Sequence, residues 1–138
     1  MTTSARNTIY GTIESIKEGA INSEVTLSVA DEKLVITLTN ESVESMQCKI
    51  GEKAYALIKS SSILVAKEKP ERISARNILK LKVDEVKIGT INVELIMSSS
   101  SEKIAAQITK ESTEKLNIKA GQEIYAIIKS SHIILGMV

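Results

Sequence analysis

Tyr55-Ala56-Leu57-Ile58-Lys59-Ser60-Ser61 returns 70 residues later as Tyr125-Ala126-Ile127-Ile128-Lys129-Ser130-Ser131. The same offset carries Ser4-Ala5-Arg6-Asn7 onto Ser74-Ala75-Arg76-Asn77, and Gly19-Ala20-Ile21-Asn22 onto Gly89-Thr90-Ile91-Asn92. Residues 4–68 and 74–138 align without a gap and share 25 identities in 65 positions. A fixed period marks a structural unit written twice, and it sets the architecture before any single element is read. The 138 residues therefore divide into domain 1 (1–68), a linker (69–73) and domain 2 (74–138). The joint, Lys67-Glu68-Lys69-Pro70-Glu71-Arg72, is charged and holds the only proline. A unit of 65 residues buries only about 60% of its unfolded surface, so each copy needs support from the other or from further chains.

Within a unit the apolar residues alternate with a period of two, which predicts strands with one face buried. Ile9 and Ile13, then Val25, Leu27 and Val29, then Leu34, Ile36 and Leu38 mark three strands of the first copy. Leu79, Leu81 and Val83, then Ile91, Val93, Leu95 and Met97, then Ile104, Ala106 and Ile108 mark their counterparts. A short helix is predicted over 41–47 and 111–117, with Thr or Asn as its cap. Lys49-Ile50-Gly51-Glu52 and Lys119-Ala120-Gly121-Gln122 read as turns, and strands four and five follow at 55–59 and 63–66. The expected fold class is all-β with one short helix per repeat, in two tandem OB-like five-stranded barrels.

Composition narrows the function. Eighteen basic and seventeen acidic residues leave a net charge of +1, without the surplus that nucleic-acid binding draws on. There is no Phe or Trp and only three Tyr, so single-stranded bases would find few rings to stack on. One Cys (Cys48) and one His (His132) cannot assemble a zinc cage, and they leave little for nucleophilic catalysis. No apolar run reaches the roughly 18 residues of a membrane span. The first residues lack the basic and apolar regions of a secretory signal. The expectations are a non-enzyme in the cytoplasm, with no catalytic cofactor, no bound metal ion, no nucleic acid and no membrane. Cys48, opposite Ile118, reads as a core residue, Tyr55 and Tyr125 as packing residues, and His132, opposite Ser62, as incidental.

The polar residues kept in both copies include a set of hydroxyls and cations: Ser4/Ser74, Arg6/Arg76, Thr39/Thr109, Ser42/Ser112, Lys59/Lys129 and Ser60/Ser130. Two of the chain's three arginines are among them. An Arg fork, a Lys ammonium, hydroxyls and backbone N–H groups suit a tetrahedral oxyanion. Each also has a structural reading: Arg as a surface ion-pair partner, Lys as a solvated strand end, Thr and Ser as helix caps. For Asn7 and Asn77 the structural reading is preferred. No Asp or Glu belongs to the set, so the expected pocket offers donors only and disfavours hydrogen phosphate, whose proton needs an acceptor.

The Ser-Ala-Arg-Asn-x₃-Gly segment from Ser4 to Gly11, the Thr-x-x-Ser at Thr39 and Ser42, and Ile58-Lys59-Ser60-Ser61 resemble the molybdate-binding Mop, or molbindin, domain. The resemblance covers nearly the whole chain twice, as in a two-domain (di-Mop) molbindin. It implies an OB-like fold, homotrimers, and oxyanions held at interfaces between domains. It implies as ligand residues Ser4, Ala5, Arg6, Thr39, Ser42, Lys59 and Ser60, and in the second copy Ser74, Ala75, Arg76, Thr109, Ser112, Lys129 and Ser130. The implied ligand is molybdate, or tungstate, and the implied role is storage, buffering or homeostasis inside the cell. The alternative is a molybdate-sensing module that acts through a protein partner. Leu81 opposite Gly11, and Lys110 opposite Asn40, set the two copies apart. A strand is expected to cross between repeats.

Overall fold

The computed structural model describes residues 7–138, so Ser4, Ala5 and Arg6 lie outside the described residues. The first repeat forms β1 (Asn7–Glu18), β2 (Asn22–Val29), β3 (Glu32–Thr39), α1 (Asn40–Ser45), β4 (Lys53–Ile58) and β5 (Leu64–Ala66). The second forms β6 (Asn77–Ile88), β7 (Asn92–Ser98), β8 (Lys103–Thr109), α2 (Lys110–Leu116), β9 (Glu123–Ile128) and β10 (Ile134–Met137). One-turn 3₁₀ helices at Ser60–Ser62 and Ser130–His132 precede β5 and β10. The fold is mostly β, in two five-stranded sheets with one short helix per repeat, as two tandem OB-like domains require.

The strand that crosses is the fifth. One sheet runs β10-β4-β1-β2-β3 and the other β5-β9-β6-β7-β8. Residues 7–68 thus supply four strands to one sheet and their last strand to the other, and residues 74–138 do the reverse. The exchange is symmetric: Leu64 pairs with Ile127, and Ile134 with Leu57. The tight turn after Lys59 does not fold the chain back as a hairpin onto β4. It carries β5 onward to the second sheet.

Long first strands serve two neighbours. Asn7–Thr12 pairs with β4, and Thr12–Glu18 pairs with β2, with a register shift between Ile13 and Ser15. The second copy shifts at the matching place, between Val83 and Glu85. Such bulges bend and twist a strand, which lets one strand join both sides of a barrel.

The core is aliphatic throughout. Ile13, Leu27, Ile36 and Ile58 are fully buried, as are Val83, Leu95, Ile124 and Ile128. Buried residues of both repeats form one continuous cluster. Each such side chain contributes about 1.5–3 kcal/mol by leaving water. Cys48 is in this cluster, with its Sγ 3.8 Å from Met137 Sδ of the exchanged β10. Gly51 and Gly121, in the predicted turns, have φ of 93° and 92°, a region L-residues avoid.

The helices begin slightly earlier than predicted, and threonine is the cap in both. Thr39 Oγ1 accepts from Ser42 N at 3.1 Å, and Thr109 Oγ1 from Ser112 N at 3.0 Å. Capping by hydroxyl satisfies one of the backbone donors left free at a helix start.

Candidate functional site

A cavity of about 280 Å³ opens where the two repeats meet. From the second repeat, Ser74 and Ala75 reach it just before β6, and Lys129 and His132 at the turn after β9. From the first repeat, Ser61 and Ser62 reach it at the turn after β4. Leu64, Ile73 and Ile127 form an apolar wall. Ser74, Ala75 and Lys129, which are far apart in sequence, are thus neighbours. Lys129 is the one charged residue of this lining.

Ser130 turns elsewhere: its Oγ lies 2.7 Å from Thr37 Oγ1 of β3. Thr39 and Ser42 are joined hydroxyl to hydroxyl at 2.9 Å, and Thr109 and Ser112 at 2.8 Å. Those four residues do not line the cavity of Lys129. Within one chain they form separate clusters at the helix starts. Lys59 flanks the first 3₁₀ turn as Lys129 flanks the second.

The lining of this cavity holds no carboxylate, and Arg76 is not part of it. Arg76 is hydrogen-bonded and ion-paired to the carboxylate of Glu24 on β2 of the other repeat. A carboxylate therefore stands beside a candidate anion ligand. The signal was present in the sequence, since Glu24 recurs as Glu94 at the same offset of 70. In sequence, a recurring Glu on a strand resembles any solvated face.

The next residue ties the two repeats together. Asn77 is buried, and its amide bonds both backbone groups of one residue: Oδ1 accepts from Val35 N and Nδ2 donates to Val35 O, each at 2.8 Å. Asn7 treats Ala105 alike, accepting from its N at 2.7 Å and donating to its O at 2.9 Å, and also donates to Ile58 O at 3.1 Å. Both asparagines are structural, but not as turn or cap residues bonding their own backbone: their partners lie 42 to 98 residues away in sequence. Their amides occupy the open edges of β3 and β8, and place the residues just before β6 beside the first repeat.

Glu32 and Glu102 form a second recurring acidic pair, over the apolar side chains of Ile9, Leu34, Leu79 and Ile104. Burial raises the pKa of both carboxyls, and the neighbouring charges of Glu102 and Asp31 raise that of Glu32 further. The space between them is about 10 Å³, too small for an oxyanion. Burial, with Glu52 nearby, likewise pushes the Cys48 thiol up, as befits an inert core cysteine. Among the described residues no group of three or more His, Cys, Asp or Glu is placed to hold a metal ion.

Both repeats match the TOBE domain, over residues 3–65 and 73–135. The chain belongs to the TOBE-domain family. It is 36% identical over 140 residues to the molybdenum-pterin-binding protein MopA of Rhodobacter capsulatus, covering 99% of this chain and 53% of MopA. It is 30% identical over 139 residues to the molybdenum transport protein ModE of Azotobacter vinelandii, covering 99% of this chain and 52% of ModE. The chain thus spans about half the length of these relatives. A solved structure of the cytoplasmic molybdate-binding protein ModG, with molybdate bound, superposes with a TM-score of 0.95. That match covers all of both chains at 35% identity. The duplicated, two-domain molbindin architecture read from the repeat is that of this TOBE protein. Among the described residues no helix is long and apolar enough to cross a membrane.

Proposed function

We propose that this protein binds molybdate, with tungstate as the other anion it accepts, and that it stores or buffers the anion in the cytoplasm without chemically changing it. The observation that carries this reading is the convergence of Ser74, Ala75 and Lys129 with Ser61 and Ser62 in one cavity. The full-length likeness to ModG supports it. A tetrahedral oxyanion presents acceptors in all directions. Hydroxyls, backbone N–H groups and an ammonium meet them with charge-assisted hydrogen bonds. Arg76, next in sequence to Ala75 but outside the lining of this cavity, would add a fork of donors from its place beside Glu24.

The clusters Thr39/Ser42 and Thr109/Ser112 complete sites through a second copy of the chain, in a homotrimer. Exposed aliphatic residues support this assembly. Ile21 and Ile91 are 73% and 74% exposed at matching positions, and Leu64 and Ile134 are 61% and 62% exposed on the exchanged strands. Recurring apolar exposure of this kind marks surface that another chain covers. Ser4, Ala5 and Arg6 with Lys59 and Ser60 make the equivalent set of the first repeat.

Equilibrium dialysis against molybdate, with elemental analysis and light scattering on the same sample, tests both parts. The expected result is saturable molybdenum binding by a particle of three chains. A folded protein that retains no molybdenum above the dialysis buffer overturns the reading. A folded monomer overturns the assembly.

A further inference from the structure

We propose that His132 is a further anion-binding residue of the Lys129 cavity, donating a ring N–H to the bound oxyanion; this rests on the function proposed above. The residue was incidental as sequence, since Ser62 stands at the matching place. In the structure both residues line the same cavity, one from each repeat. His132 N donates to Lys129 O at 3.0 Å, closing the one-turn 3₁₀ helix that sets the two side chains on one wall. Ser62 N closes on Lys59 O at 2.9 Å in the same way. The turn geometry is therefore common to both repeats, and it does not depend on an imidazole.

The ring also has no task in the core: His132 is exposed, and the buried residue of that turn is the following Ile133. The described lining holds no carboxylate that would claim the ring or repel an anion. Three of its members, Leu64, Ile73 and Ile127, offer an oxyanion nothing. An imidazole reaches farther than a serine hydroxyl and always carries at least one N–H donor. Beside the aliphatic members of the lining, it supplies a donor in addition to those of Ser74 and Lys129. The two repeats then contribute unequally: the first gives hydroxyls at Ser61 and Ser62, and the second gives the Ser74 hydroxyl, an ammonium and an imidazole.

His132 is the only histidine in the chain, so its ring carbon-bound protons give one pair of NMR signals to follow. Molybdate is titrated into the full-length protein with dialysis in parallel. The ring signals are expected to shift saturably, with the midpoint of the binding phase that Lys129→Ala removes. His132→Ala is expected to weaken that phase about tenfold or more, the scale of a hydrogen bond to a charged group, while melting of the anion-free protein stays as in the wild type. His132→Asn, which keeps an N–H donor, is expected to recover part of the loss. A His132→Ala variant with wild-type affinity in the Lys129 phase overturns the proposal, whatever the ring signals do. Absence of any molybdenum binding by the wild type instead overturns the function on which it rests, and the dialysis separates the two results.

Discussion

The side-chain amide of Asn77 pairs with the backbone of Val35 as a neighbouring strand would, giving and receiving one hydrogen bond at 2.8 Å each. Asn77 opens the second repeat's first strand, and Val35 lies on the outer strand of the first repeat's sheet. One side chain thus fixes the register of two sheets. Asn77→Ala strips the partners from a part-buried N–H and C=O, and should cost about 1–3 kcal/mol. Asn77→Asp keeps an acceptor for Val35 N but places charge against Val35 O, so it should be no better than alanine. Urea unfolding of the three proteins measures this. Equal stability would mean that the exchanged strands and the shared core alone hold the repeats together.

Gly11 should resist any side chain. A Cβ there would lie 2.6 Å from Ser28 O and 2.9 Å from Val29 Cγ2, and the first of these is backbone. Gly11→Ala is expected to destabilise by about 1–3 kcal/mol through overpacking. At Gly51 a Cβ meets nothing within 4 Å, but φ is 93°. Gly51→Ala should therefore cost only conformational strain, of about 1–3 kcal/mol. Crystallography of the two variants distinguishes them: β1 and β2 move apart in the first, and only the turn rearranges in the second.

The carboxyls of Glu32 and Glu102 set a pH dependence. Both have raised pKa values when folded, by burial first and, at Glu32, by neighbouring negative charge. Unfolded, each loses its proton near the ordinary value of about 4.3. Their contribution to stability is complete below that value and is lost as pH rises through the raised folded values. Glu32→Gln, neutral at every pH, should be more stable than wild type near neutrality. That advantage should disappear below about pH 4.3. Thermal melts across this range check the sign, and a constant difference would remove the pair from the account.

Arg76→Lys keeps the charge but loses the planar fork, so it cannot hold two oxygens at once. Loss of a charged hydrogen bond amounts to roughly 1.5–3 kcal/mol, so molybdate affinity should fall about 10- to 150-fold in one phase of the titration. An unchanged isotherm would leave Arg76 as the ion-pair partner of Glu24 and nothing more.

Glu24 bears on anion choice. Molybdate and tungstate should raise the melting temperature most, sulfate less and phosphate least, by mass action on the folded state. Phosphate's proton needs an acceptor, and the Glu24 carboxylate bonded to Arg76 stands beside one of the proposed ligands. Glu24→Gln should therefore widen the gap between molybdate and phosphate. A panel of melts at equal ionic strength measures it, and a gap that narrows would assign Glu24 no part in selection.

Much of this protein is determined by its sequence alone. The offset of 70 defines the repeat, period-two alternation defines the strands, Gly51 and Gly121 define turns, and Thr39 and Thr109 define helix starts. These are local properties: a left-handed φ or a hydroxyl three residues before an amide needs no distant partner. Strand exchange is different. The segments at β5 and β10 have the same alternation whichever sheet they join, because pairing through backbone groups is nearly blind to side-chain identity. Only the path after Lys59 and the shared core decide it. For the same reason, sequence does not reveal which residues Glu24, Asn77 and His132 meet: Arg76, Val35 and the Lys129 cavity. Each contact joins residues that the repeat pattern assigns to different halves or to no role, and the exchange of strands is what brings the two halves together.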